Sequence, residues 1–380
     1  MNFLEHINRV VRSRFLPSHS PGDSQGLSRP PQPSGSSPYP SSFSHGLPRT
    51  LFFLVAFLLP GCEKPPTANI PPVVLSSGTP FRLEQPPLPP PSTKGAPYVG
   101  VLSGILSRPN LLVATGYQGT LLRKEGDRPW IRIPVPGDRD LYGVVASPGG
   151  DFWAYGDRGT LLRSSDRGVH WTPVALSPSP RFLSGVFFVD GRTGYAAGSQ
   201  GAFYRTTDGG NRWSPVALPT RANLYAVVFS DGSHGLVAGW HRTLLRTSDG
   251  GATWQPIAVP MQRVTRQKPS FNALFEEGGR FFLAGDHGLL YLSTDEGASF
   301  SAIQTGSLHD LYGVCRTGDG TLAVAGEEGT LLFLSPERGG GWAVRSPLGS
   351  FHGSDFLGLS CGASRVRLAG SRNVLLLPAS

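Results

Sequence analysis

AAGSQGAFYRTTDGGNRW, residues 196–213, is one copy of a unit that recurs through the last three-quarters of a 380-residue chain. Its first half is a small-residue step, a two-residue turn and a short apolar run. That half reads GYQGTLLR from Gly116, GDRGTLLR from Gly156, GSQGAFYR from Gly198 and GWHRTLLR from Gly239. It continues as GDHGLLYL from Gly285, GEEGTLLF from Gly326 and GSRNVLLL from Gly370. Successive copies begin 40 to 46 residues apart. A period of about 40–45 residues holding four short strands marks a blade of a β-propeller. Seven copies predict an all-β, seven-bladed β-propeller over residues 80–380.

One unit can be read strand by strand. In the second copy, residues 141–147 (LYGVVAS) predict the inner strand, 151–155 the second, 160–163 the third and 171–176 the outer one. Gly- and Pro-rich turns separate them, as hairpins require. Runs such as LLVATG are apolar throughout because each sheet is covered on both faces. The last unit stops after its third strand. TPFRLEQPPLP (79–89) resembles the outer-strand segments WSPVALP and WQPIAVP. Residues 80–86 are therefore expected to supply the missing strand and close the ring, which removes an exposed edge.

Composition agrees. Glycine (50) and proline (36) make up 23% of the chain, while charged residues are only 16% against a usual value of about 25%. Gly and Pro are the poorest helix formers, so a helical bundle is excluded. The charge of +8 is spread out, with no run of five or six basic residues, which argues against a nucleic-acid arm. The only cysteines are Cys62, Cys315 and Cys361, too few for a disulfide framework or a multi-cysteine zinc site. Cys315 and Cys361 fall on the inner strands of the sixth and seventh units. Neighbouring inner strands are not hydrogen-bonded to one another, so both are read as small buried thiols, with a disulfide as the lesser alternative.

The N-terminal region divides differently. Residues 1–46 are Ser-, Pro- and Gly-rich, and are read as a disordered extension or a misassigned start. Residues 47–62 contain LFFLVAFLL followed by Pro60-Gly61-Cys62. A basic flank, a short apolar run and small residues before a cysteine read as a secretory signal, and the ending resembles a bacterial lipobox with Cys62 as the lipidated residue. Residues 63–79 read as a Pro-rich tether. The expected location is a bacterial cell envelope, on a lipid anchor.

A second repeat, S/T-x-D-x-G-x-x-W/F, joins third and outer strands. It reads SSDRGVHW at 164–171, TTDGGNRW at 206–213, TSDGGATW at 247–254 and STDEGASF at 293–300. Its key residues are Asp166 and Trp171, Asp208 and Trp213, Asp249 and Trp254, and Asp295 and Phe300. The carboxylate and hydroxyl can accept turn amides, the glycine tolerates positive φ, and the aromatic packs between sheets. These residues resemble the Asp-box, or BNR, repeat family, closest to the photosystem II stability and assembly factor propellers. That resemblance implies a non-enzymatic, monomeric, protein-binding propeller without cofactor or metal. Nothing in the sequence specifies a photosystem client.

Other members of the Asp-box family are sialidases. They need convergent carboxylates and an arginine triad. Arg132-Ile133-Pro134 resembles one sialidase motif, but it aligns with outer-strand positions, so no catalytic residues are assigned. A glycan-binding or sialidase-like hydrolase is the first alternative, and a structural subunit of a cell-surface complex the second. The partner is expected to be an envelope protein, with no nucleic acid.

The partner-binding candidates sit on the loops between second and third strands and on the loops leading to each inner strand. Blade four carries Trp240, His241 and Arg242: Trp240 is a large aromatic where its neighbours carry small polar residues, and Arg242 replaces the usual glycine. Arg181, Arg221, Arg263, Arg266 and Lys268 make one side basic, the last three inside the longest insertion. Trp and Arg are enriched at interface hot spots. Arg123, Arg163, Arg205 and Arg246 end the third strands of four consecutive units. This column is expected to pair with the Asp-box carboxylates of its own units, and otherwise to face an acidic partner.

Overall fold

The computed structural model describes residues 82–84, 101–260, 268–346, 355–362, 365–370 and 374–378, all within one compact unit. The strands form seven four-stranded antiparallel sheets. Six are blades of four consecutive strands. Blade one is Leu102–Arg108, Leu111–Gly116, Thr120–Glu125 and Ile131–Arg132, and blade two is Leu141–Ala146, Phe152–Gly156, Leu161–Ser164 and Thr172–Pro173. Blades three to six begin at Leu183, Leu224, Phe271 and Leu311. The remaining sheet is composite. Phe356–Cys361, Arg365–Gly370 and Val374–Pro378 are joined at the outside by Arg82–Glu84, in the register Arg82↔Leu376, Leu83↔Leu375, Glu84↔Val374. The fourth strand thus comes from within the stretch 80–86.

Several second strands are wholly buried, such as GYAAG (Gly194–Gly198), GLVAG (Gly235–Gly239) and LAVAG (Leu322–Gly326). Outer strands shrink to two residues in blades one to four. Blade two's is Thr172–Pro173 rather than 171–176, because Trp171 leaves the ladder and packs into the core under blade one.

Every inner strand carries a β-bulge after its first pair, for example between Leu102 and Gly104, Leu224 and Ala226, and Phe271 and Ala273. The bulged side chain reaches sideways. Ser103 Oγ donates to the Leu141 carbonyl at 2.5 Å, Ser184 Oγ to Leu224 O, and Asn272 Nδ2 to Leu311 O at 3.1 Å. Each bond crosses to the next blade. The residue after the bulge is Gly or Ala because the strands converge there. A Cβ on Gly104 would lie 2.7 Å from the Gly143 Cα, inside van der Waals contact. The inner strands enclose a central channel of about 460 Å³.

Cys315 and Cys361 are not free thiols. They form a disulfide with Cα atoms 5.8 Å apart. The inner strands of adjacent blades share no ladder, yet they converge enough at the axis to bring two Cα atoms within disulfide range. Residues 1–79, including Cys62, lie outside the described residues, as do Arg263 and Arg266. No helix among the described residues is long and apolar enough to cross a membrane.

Candidate functional site

The two faces of the ring are built by different turns. The lower face carries the Asp-boxes and the hairpins between first and second strands. In blade four, Thr247 Oγ1 donates to Asp249 Oδ1 at 2.7 Å and accepts the Gly251 amide at 2.9 Å. Asp249 Oδ1 accepts the Thr253 amide at 2.9 Å, and Trp254 Nε1 donates to Gly251 O at 3.2 Å. The two hydroxyl bonds recur around Ser164 and Asp166, Thr206 and Asp208, and Ser293 and Asp295. Hydrogen bonds to the carboxylates hold them below their usual range. Asp249 falls to about 2 through the Thr253 hydroxyl and amide, and Asp295 to about 2 through those of Ser299. Asp166 and Asp208 are lowered too, chiefly by the His170 and Arg212 amides. These acids are fully employed as turn acceptors, which is structural chemistry.

The arginine column does not pair with the Asp-box carboxylates of its own units, although Arg123 and Arg163 each hold another carboxylate of their own blade, Glu125 and Asp151. Arg123 Nε donates to the Arg167 carbonyl in the Asp-box of blade two at 3.1 Å. Arg163 bridges Asp151 and, at 2.7 Å, Asn211 Oδ1 in the box of blade three. Arg246 Nε reaches the Glu296 carbonyl in the box of blade five at 2.9 Å. Arg205 stacks over Tyr195, whose hydroxyl donates to Gly250 O in the box of blade four at 2.7 Å. The third strand ends beside the following blade's box, so each arginine or its neighbour ties one blade to the next. The guanidinium groups of Arg123, Arg163 and Arg246 are thereby engaged. Sequence reading also missed His234, whose Nδ1 lies 2.9 Å from Asp231 and Nε2 3.1 Å from Glu296 of blade five. Only the assembled ring brings these three together, and their mutual bonds account for all of them.

The upper face carries the turns between second and third strands and the connections between blades. Each turn places one non-glycine residue in the left-handed region: Gln118, Arg158, Gln200, His241, His287 and Glu328, with φ between 50° and 59°. The next blade caps the exposed amide. Gln118 N donates to Asp140 Oδ1 at 2.8 Å, Gln200 N to Asn223 Oδ1 at 2.8 Å, His287 N to Asp310 Oδ1 at 2.8 Å and Glu328 N to Asp355 Oδ1 at 3.0 Å. The following residue is a glycine in five of these turns. A Cβ there would strike the next connection, at 2.3 Å from Thr220 O for Gly201 and 2.1 Å from Ser307 O for Gly288.

Blade four breaks this rule. Arg242 occupies the glycine position at φ 62°, directly after His241 at φ 54°. Two successive left-handed L-residues cost about 1–2 kcal/mol each. The long connection after blade four gives the room. Arg242 N donates to Pro269 O at 2.8 Å and its Nη2 to Val259 O at 3.0 Å, the two ends of that connection. Trp240 is half-buried, stacked on His241 with ring centroids 3.7 Å apart, and its amide donates to Asn223 O at 2.8 Å. The turn is thus held between Asn223 and Pro269, which places the exposed Arg221 and Lys268 at its two flanks. Exposed Arg181 lies one blade earlier, fixed through its amide to Ser199 Oγ at 2.9 Å.

The opposite side of this face is acidic. Asp310 is raised by burial and by Asp286 and Glu327, and burial raises the Tyr312 hydroxyl far above its ordinary value. The upper face is therefore split in charge, basic beside blades two to four and acidic beside blades five and six. Arg132 lies on the outer strand of blade one, away from the channel mouth, and its Nη2 donates to Gln118 O at 3.4 Å.

Residues 206–333 match the model of a family described as photosynthesis system II assembly factor YCF48. Among solved structures, YCF48 from Cyanidioschyzon merolae aligns at 18% identity and a TM-score of 0.57, covering 74% of this chain and 96% of that one. A structure of YCF48 bound to D1 peptide aligns at 16% identity and 0.59, covering 79% and 97%. A GH74 xyloglucanase from Xanthomonas campestris aligns at 16% and 0.56, covering 78% and 53%. At such identities the structural likeness shows the fold, which binding proteins and hydrolases share. No curated protein matches the sequence. The Asp-box turns and the four-stranded sheets make the described residues a β-propeller with BNR-type repeats, and residues 206–333 within it are similar to the photosystem II assembly factor family.

Proposed function

We propose that the chain is a non-enzymatic, seven-bladed protein-binding propeller of the assembly-factor kind, anchored in a cell envelope through Cys62. The observation that carries the binding reading is blade four's upper turn. Trp240 stands where the neighbouring blades carry Ser199 and Asp286, and Arg242 replaces the glycine of the other turns at a cost in backbone strain; strain kept at such a turn points to use. The flanking Arg221 and Lys268, with Arg181 nearby, suit a partner segment rich in carboxylates. The solved YCF48 bound to D1 peptide supports the class of partner. The composite sheet acts as the seventh blade, so the two ends of the propeller domain close the ring.

The test is affinity purification of the full chain from cross-linked cells, comparing wild type with Trp240→Ala, Arg242→Ala. One envelope protein enriched with wild type and lost with the variant supports the reading. No enriched protein, together with glycan binding or glycoside hydrolysis by the purified chain, overturns it in favour of the hydrolase alternative. Cys62→Ala is expected to release the protein from the membrane fraction, and retention there would remove the anchor.

A further inference from the structure

We propose that the Cys315–Cys361 disulfide is a thiol-exchange site on the lower rim of the channel, opened by a dithiol protein of the thioredoxin class. Opening it loosens the closing sheet while the rest of the ring stays folded.

Three observations converge. The first is place. Cys315 lies on Leu311–Arg316 of blade six and Cys361 ends Phe356–Cys361 of the composite sheet. Those inner strands belong to different sheets and share no ladder, so the disulfide is a covalent tie between strands that no backbone ladder joins. The second is access. Both cysteines are half-buried rather than buried. Cys361 and Gly362 line an open cleft of about 610 Å³ together with Glu277, Arg280, Arg316 and Thr317. A disulfide bordering an open cleft can be attacked, whereas a fully enclosed one is inert. The third is what the tie secures. The composite sheet takes its outer strand from the other end of the domain, through three residue pairs, so this sheet alone depends on closing the whole chain into a loop.

The chemistry balances as ordinary exchange. A thiolate of the reductant entering the cleft attacks the Cys361 sulfur and forms a mixed disulfide. The S–S bond breaks, and Cys315 leaves as a thiolate that takes up a proton. The second thiol of the reductant, as thiolate, attacks its own sulfur in the mixed disulfide and frees Cys361, which is protonated in turn. Two electrons and two protons pass to the pair, and the reductant becomes a disulfide. Arg316 and Arg280 favour the attacking thiolate in the cleft. Glu277, ion-paired to both, opposes it.

The test uses the oxidised full chain under native conditions with thioredoxin kept reduced by dithiothreitol. Acid quenching and maleimide labelling follow the peptides carrying Cys315 and Cys361, and hydrogen exchange follows the strands. We expect both cysteines to label at least 100-fold faster than the ring unfolds globally. Exchange should accelerate in 356–361, 365–370 and 374–378 and stay unchanged in blades two to four. Arg316→Gln should slow reduction several-fold and Glu277→Gln should speed it. The double variant Cys315→Ser, Cys361→Ser should show the loosened pattern without reductant. Labelling no faster than global unfolding overturns the proposal. So does reduction that leaves the exchange pattern untouched, or that opens every blade together.

Discussion

Gly210→Ala tests whether the Asp-box glycine is chosen by the neighbouring blade or by its own turn. Gly210 has φ +84°, so an alanine there carries the left-handed penalty of about 1–2 kcal/mol. Its Cβ would also lie 2.2 Å from the Trp153 ring, on the second strand of the preceding blade. That ring is fully buried and packed 5.1 Å from Phe188 and 5.9 Å from Trp213, centroid to centroid, so it has nowhere to retreat. Overpacking of this kind adds about 1–3 kcal/mol, giving a total of about 2–5 kcal/mol. The neighbouring Gly209 has φ +70°, but its Cβ would meet only the Gly191 carbonyl, at 3.1 Å. Gly209→Ala should therefore lose only about 1–2 kcal/mol. Denaturant midpoints at constant m measure both. Trp153→Leu should recover about 1–3 kcal/mol when combined with Gly210→Ala, as coupling between touching residues. Equal losses for the two glycines, or strict additivity with Trp153→Leu, would refute the inter-blade explanation.

Acid should strip the boxes in a defined window. The carboxyls of Asp249 and Asp295 are held at about 2, below the ordinary 3.8. Their contribution is therefore complete above about pH 4 and is lost as pH falls through 2. Thr253→Ala combined with Ser299→Ala should flatten the stability profile between pH 4 and 2. Arg163→Gln breaks the pair with Asp151 and the tie to Asn211, and should destabilise by about 1–3 kcal/mol. Arg246→Gln removes a single, more exposed bond and should cost under about 1 kcal/mol. Chemical unfolding of the two variants side by side gives the ranking. Gly288→Ala combines φ +74° with a Cβ 2.1 Å from Ser307 O and should destabilise by about 3 kcal/mol or more. Arg242→Gly at the matching position should change stability by no more than about 1 kcal/mol, because relief of strain offsets the lost bond to Val259. Thermal unfolding separates them.

The sheets were legible because a propeller repeats its local chemistry. GYAAG, GLVAG and LAVAG are apolar on both faces since each strand is sandwiched, and that shows in the letters alone. Even the closing strand could be found, because Arg82–Glu84 retains the outer-strand pattern although it stands far from its sheet in sequence. What stayed hidden was everything set by the angle between blades. The disulfide depends on how far inner strands converge, which no periodicity encodes. Nearness in sequence pairs the arginine column with its own boxes. The ring brings the next blade's box nearer in space, and the carboxylates were already engaged by their own turns.

The same asymmetry says where function can reside. On the lower face the hydroxyl, the acid, the glycine and the aromatic of each box are all committed to turns or to blade contacts, so change there is paid for in stability. On the upper face the repeat demands little: a left-handed residue, an amide acceptor from the next blade, and a glycine. Side chains at Gln118 and Gln200 can vary because the cap from the next blade takes their backbone amides, whereas His287 Nδ1 also lies 3.6 Å from Asp310. Blade four departs even from the glycine, and it does so beside the connection long enough to tolerate Arg242. A substitution that breaks the local rule and brings its own compensation, next to a basic flank, is not required by the ring, and the proposed partner site rests on that departure.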